Sequence, residues 1–109
     1  MGVNPTILKR VPPSEMQKMF NEGGYWDRTK TGELTAFALE DRHPALTAAR
    51  EPVCTRSQML SYRDASGQEI ARVHQYLRPD GTIGASGKPD PKRVFHDGVL
   101  YRLVKAPKK

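Results

Sequence analysis

Arg72, His74, Tyr76 and Arg78 stand at every second position of one stretch of chain, with Val73, Gln75 and Leu77 between them. In an extended strand a spacing of two places side chains on one face. This run therefore presents two guanidinium groups, an imidazole and a phenol together. An imidazole moves protons near neutral pH. Guanidinium forks match phosphate oxygens, and an aromatic ring is a platform on which a base stacks. Together these groups suit a phosphodiester. Metal-free cleavage of RNA needs a base for the 2′-hydroxyl, cations around the phosphorane and an acid for the leaving group. On that scheme His74 is the base or the acid, while Arg56, Arg72 and Arg78 stabilise charge. The strand has no second proton carrier, so His96 or Lys88 would have to reach in.

A second cationic group follows in the Pro- and Gly-rich stretch from Gly84 to Lys92, where Lys88, Lys92 and Arg93 stand close in sequence. Gly84-Ala85-Ser86-Gly87-Lys88 invites comparison with a phosphate-binding P-loop and fails it. Thr82 occupies the first glycine position, and Pro89 replaces the hydroxyl that would hold Mg²⁺. An amide-rich loop that cradles a phosphate remains open. The residues expected to contact nucleic acid are therefore Arg56, Arg72, Tyr76, Arg78, Lys88, Lys92 and Arg93. No metal or cofactor is implied, because His43, Cys54, His74 and His96 are scattered without ligand spacing. Cys54 lacks the local signature of a nucleophile and reads as a half-buried structural thiol.

Charge supports a polyanionic partner. Residues 1 to 55 carry seven Lys/Arg against seven Asp/Glu, whereas residues 56 to 109 carry eleven against five, so the whole net charge of +6 lies in the second half. A basic region binds polyanions through counterion release, and RNA is the favoured partner. The competing expectation is a non-enzymatic accessory or inhibitor protein docking on an acidic protein surface. With 37% hydrophobic and 28% charged residues the chain is polar but able to form a modest core. No apolar run approaches the roughly 20 residues of a membrane span. One cysteine cannot form an internal disulfide, which fits a reducing, cytoplasmic setting. Met1-Gly2 with Thr6 matches the loose N-myristoylation pattern; chance produces that match often, and an unmodified terminus is expected.

The elements that must hold these side chains are read from punctuation and periodicity. Residues 1 to 13, with Pro5, Pro12 and Pro13, form an extended lead-in to a single domain over 14 to 104, and 105 to 109 form a basic tail. Ser14-Glu15-Met16-Gln17 is a capping-box match that starts a short helix, with Met16, Met19 and Phe20 on its apolar stripe and Gly23-Gly24 as its stop. From Tyr25 to Leu39 a helix and a hairpin compete; Thr29 to Glu33 favours the hairpin. Pro44 to Arg50 reads as a helical turn. Three Gly-ended turns follow, at Asp64 to Gln68, Arg78 to Thr82 and Asp97-Gly98, which gives an antiparallel meander of about five strands.

The fold class is thus α+β, a mainly antiparallel sheet with one or two short helices on one face. A loop that pairs Asp64 with Gln68 sets Tyr62 opposite Ile70, Gln58 opposite His74 and Arg56 opposite Tyr76. Arg56 and Gln58 then join the Arg72–Arg78 face, while Met59, Ala71, Val73, Leu77 and Ile83 pack on the helix. Val94, Val99, Tyr101 and Leu103 are expected in the core on the face of His96, with Trp26 and Phe95 as the remaining large anchors.

Overall fold

A computed structural model describes residues 7–42, 50–84 and 87–104. The Met1 to Thr6 pattern, His43, residues 44–49 of the expected helical turn, Ala85, Ser86 and the tail 105–109 lie outside the described residues. The architecture is α+β: a six-stranded, mostly antiparallel sheet with two short helices. The elements run β1 (Ile7–Val11), α1 (Pro13–Glu22), α2 (Tyr25–Lys30), β2 (Thr35–Arg42), β3 (Arg56–Arg63), β4 (Glu69–Leu77), β5 (Asp90–His96) and β6 (Val99–Leu103). The order across the sheet is β1-β6-β5-β4-β3-β2, with β1 parallel to β6 and every other pair antiparallel.

Two turns fall where their residues demand. Asp64 N–H donates to the Gln68 carbonyl at 3.0 Å, and the Asp64 carboxylate accepts from the Ser66 and Gln68 amides. Asp97 and Gly98 both take positive φ, 51° and 75°, the backbone of a two-residue turn that matches strand twist. The Arg78 to Thr82 turn also forms, but the chain after it makes only an isolated bridge, Leu77 to Ile83, in place of a strand. The sheet reaches six strands because the lead-in supplies β1, and because the ambiguous stretch divides into α2 and β2. Thr29 and Lys30 belong to that helix; Gly32, at φ 88°, then turns the chain toward the strand.

Helix α1 starts two residues earlier than its capping box would place it. Pro12 is the N-cap, Pro13 holds the first turn, and no side chain caps the amides. Its stripe buries Met16 and Phe20 against the sheet while Met19 stays at the margin. The core joins those two to Val11, Tyr25, Leu34, Tyr62, Ala71, Val73 and Val94. Phe20 lies at the centre, with its ring centroid 5.9 Å from that of Tyr25 and 6.1 Å from that of Tyr62. Tyr62 is wholly inside, and burial pushes its phenol up to about 12.

One irregularity resets the middle of the sheet. Arg63 pairs with Glu69, as the loop dictates, but Tyr62 pairs with Ala71, so Ile70 is an extra residue in a β-bulge. Ile70 and Ala71 both pack toward the helices. Beyond the bulge every pair differs by one residue from the alternation carried straight from the turn: Met59 stands opposite His74, Ser57 opposite Tyr76, and Gln58 opposite Gln75. A one-residue slip exchanges the faces of a strand. Met59 therefore leaves the core side, and Arg56 and Gln58 join it.

An arginine row and a mixed-charge cleft on the open face of the sheet

The helices cover one face of the sheet, and none of the described helices covers the other. Cross-strand register sorts the side chains of this open face into rows. One row runs Phe37, Ser61, Arg72, Arg93, Arg102, Arg10, through all six strands from β2 to β1. Four arginines thus lie side by side on four adjacent strands. At about 4.8 Å per strand the row of cations extends about 14 Å.

A single carboxylate is threaded through this row. Glu69 accepts from Ser61 Oγ at 2.5 Å and from Arg72 Nε at 3.1 Å, and its other oxygen lies 3.7 Å from Arg93. Arg102 forms no ion pair among the described residues, and Arg10 donates to the Leu103 carbonyl at 3.2 Å. Positive charge is therefore in excess. The Arg93 guanidinium shows the strain electrostatically: burial, then the neighbouring Arg72 and Arg102, lower its pKa against the opposing pull of Glu69. Aromatic rings flank the row. Phe37 begins it, with the Arg63 guanidinium 4.8 Å above its ring, and Phe95 stands beside Arg93 in a parallel row with Leu100 and Leu8. Phe95 therefore belongs to the open face and is not a core anchor.

On the other side of the arginines two short rows build a cleft. Glu40, Met59 and His74 form one, and Arg42, Ser57 and Tyr76 form the next. These six residues line a cleft of about 100 Å³. A bulge at Leu39 in β2 aligns Glu40 with Met59. His74 Nε2 lies 2.8 Å from Ser57 Oγ, and the Tyr76 ring meets the imidazole edge-on at 4.7 Å. Burial, followed by the Lys92 ammonium, lowers the pKa of His74, and the cross-strand Asp90 partly opposes them. Glu40 and Arg42 make no hydrogen bond or ion pair among the described residues.

The residues expected at a site now have places. Arg72, His74, Tyr76 and Arg93 share the open face. Lys92, the extra residue of a third bulge, pairs with Asp90 at 2.8 Å and acts electrostatically on His74. Arg78 is held by Glu51 at 2.8 Å, a carboxylate with a side chain only 7% exposed; Gly84 admits it, since a Cβ there would stand 2.5 Å from Glu51 Oε1. Arg56 lies on the helix side, 3.6 Å from Asp41, and so does not join His74. Lys88 lines a groove with Phe20 and Trp26 behind the sheet, and His96 lines another with Met19 and Tyr25. Neither can hand a proton across the sheet to a group beside His74.

The sequence reading missed Arg10, Arg102, Glu69, Ser57, Glu40 and Arg42. Alternation within β6 and β1 would have linked each new arginine only to its own strand. No set of three or more metal-ligating side chains converges among the described residues, and none of the described helices is long and apolar enough to cross a membrane. No family model, curated protein or solved structure matches this chain.

Proposed function

We propose that the protein binds single-stranded nucleic acid, RNA in preference, on the open face of its sheet. The observation that carries this reading is the row Arg72–Arg93–Arg102–Arg10, four guanidinium groups against the one carboxylate of Glu69. Its length of about 14 Å matches the axial rise of about four nucleotides of a stacked strand, at about 3.4 Å each. The rings of Phe37, Tyr76 and Phe95 stand on the same face, where unpaired bases stack and base-paired ones do not. The reading is of binding without cleavage. Of the proton carriers expected beside His74, His96 and Lys88 lie behind the sheet; the Glu40 carboxylate shares the His74 cleft, so cleavage is the second outcome that the test reads. The sole cysteine, Cys54, is an exposed thiol and not the half-buried one expected; with one thiol and no internal disulfide we place the protein in the reducing cytoplasm.

The test is a titration of labelled single-stranded RNA in EDTA at several salt concentrations. For four neutralised phosphates the slope of log K against log salt is about −3. The Arg10→Gln/Arg102→Gln double variant should lose about two contacts and flatten the slope by about 1.4. A protein that ignores RNA at low salt would instead be one that docks on an acidic protein surface, and pull-down of that partner would follow. RNA cleavage that disappears in His74→Ala would restore the enzymatic reading.

A further inference from the structure

The cleft beside the arginine row has features that a backbone-binding face does not require. It sets a carboxylate, Glu40, and a guanidinium, Arg42, on neighbouring positions of the edge strand β2, opposite the imidazole and phenol of His74 and Tyr76 on β4. Met59 and Ser57 form its floor between them. The hydrogen bond to Ser57 and the edge-on Tyr76 ring fix His74 in place. Glu40 and Arg42, by contrast, have no partners among the described residues. An acceptor and a donor are thus both available to a molecule that enters.

Position relates the cleft to the phosphate row. His74 is two residues along β4 from Arg72, a distance of about 7 Å. A nucleotide with its phosphate on Arg72 or Arg93 can therefore lay its base over Met59. The base edge then meets Glu40, and its ring meets Tyr76.

We infer that this cleft receives one nucleobase and selects guanine. The inference rests on the binding reading above and assigns that site its base specificity. A carboxylate has only acceptors and can take two parallel N–H groups at once. Among the four RNA bases only guanine presents two adjacent donors, N1–H and N2–H, on its Watson–Crick edge. Adenine and cytosine each set a ring-nitrogen acceptor beside their amino group, where its lone pair faces the lone pairs of the carboxylate; uracil offers one N–H between two carbonyls. Arg42 supplies the complementary donor for the guanine O6 and N7 acceptors, the pairing by which guanidinium groups read this base elsewhere.

Fluorescence anisotropy with the pentamers UUGUU, UUAUU, UUCUU and UUUUU tests the inference on the full chain. UUGUU should bind the wild type about tenfold more tightly than the other three, within the discrimination expected of one bidentate base contact. Glu40→Gln should bring UUGUU to the level of UUUUU, because an amide can accept at only one of the two donors. Glu40 is exposed on an edge strand, and circular dichroism would confirm that the variant is folded. Equal binding of all four pentamers, preference for another base, or a guanine preference that survives Glu40→Gln would each overturn the assignment while leaving the arginine row intact. Failure of every pentamer to bind at low salt would overturn the nucleic-acid reading itself.

Discussion

His74 shows how one residue takes its chemistry from its surroundings. An imidazole in water titrates near 6.5. Here burial and the Lys92 ammonium favour the neutral ring, so the folded protein gives up this proton at lower pH than the unfolded chain does. The sign follows from linkage: where only the unfolded chain is protonated, stability rises with pH. The contribution of His74 is complete above about pH 6.5 and is lost as pH falls below it toward the depressed folded value. Urea midpoints at pH 5.5 and 7.5 should therefore differ more in the wild type than in His74→Gln. Equal differences would mean that the ring is fully solvated. At neutral pH the ring shares a hydrogen bond with Ser57 Oγ through Nε2 and stands as a wall of the cleft.

Each of the four strands carries one arginine of the row, and the row exists only through strand pairing. Arg72, Arg93, Arg102 and Arg10 occupy one register line, so each lies beside like charge at cross-strand distance. Such neighbours cost about 0.2–1 kcal/mol per pair, and Glu69 relieves only the Arg72 and Arg93 side. Arg102→Gln should therefore stabilise the free protein by about 0.5 kcal/mol at low ionic strength, with no gain at 1 M salt, where the screening length falls to about 3 Å. On the proposed reading, the same substitution should weaken RNA binding in the salt titration. A variant that lost stability at low salt would show that Arg102 contributes more by packing its aliphatic stem than it costs by its charge. The β3–β4 bulge belongs to this scale too. By inserting Ile70 it keeps Tyr62 in the core, and it sets Ser57 and Met59 rather than Arg56 and Gln58 beside His74.

As a whole, the molecule is a two-layer structure in which one side of the sheet is occupied with folding and the other is open. Burial of Tyr62, Ala71, Val73 and Val94 against Met16, Phe20 and Tyr25 lies on the helix side. The open side holds like charges that burial does not require. A ligand that binds only the folded state raises its stability by mass action, by about 2.7 kcal/mol at a hundredfold excess over Kd. Inorganic polyphosphate should accordingly raise the thermal midpoint by more than about 5 °C at low salt, and 1 M salt should abolish the effect. A midpoint indifferent to polyphosphate would show that the row does not act as an anion site.

Local chemistry was enough to determine much of this protein. The α+β class, the Asp64 to Gln68 and Asp97-Gly98 turns, the burial of Met16 and Phe20, and the common face of Arg72, His74 and Tyr76 follow from periodicity and turn residues. Those features act within a few residues, so a linear chain displays them. The tertiary structure decided what depends on pairing between distant segments. The lead-in became β1 because β6 offered it an edge, and no nearby residue signals that choice. The bulge at Ile70 arose because both Ile70 and Ala71 gain by facing the core, and that single extra residue exchanged the partners of His74. Arg10 and Arg72 are 62 positions apart in the chain yet lie on one line, because register across four strands, and not spacing along any of them, sets where charge accumulates.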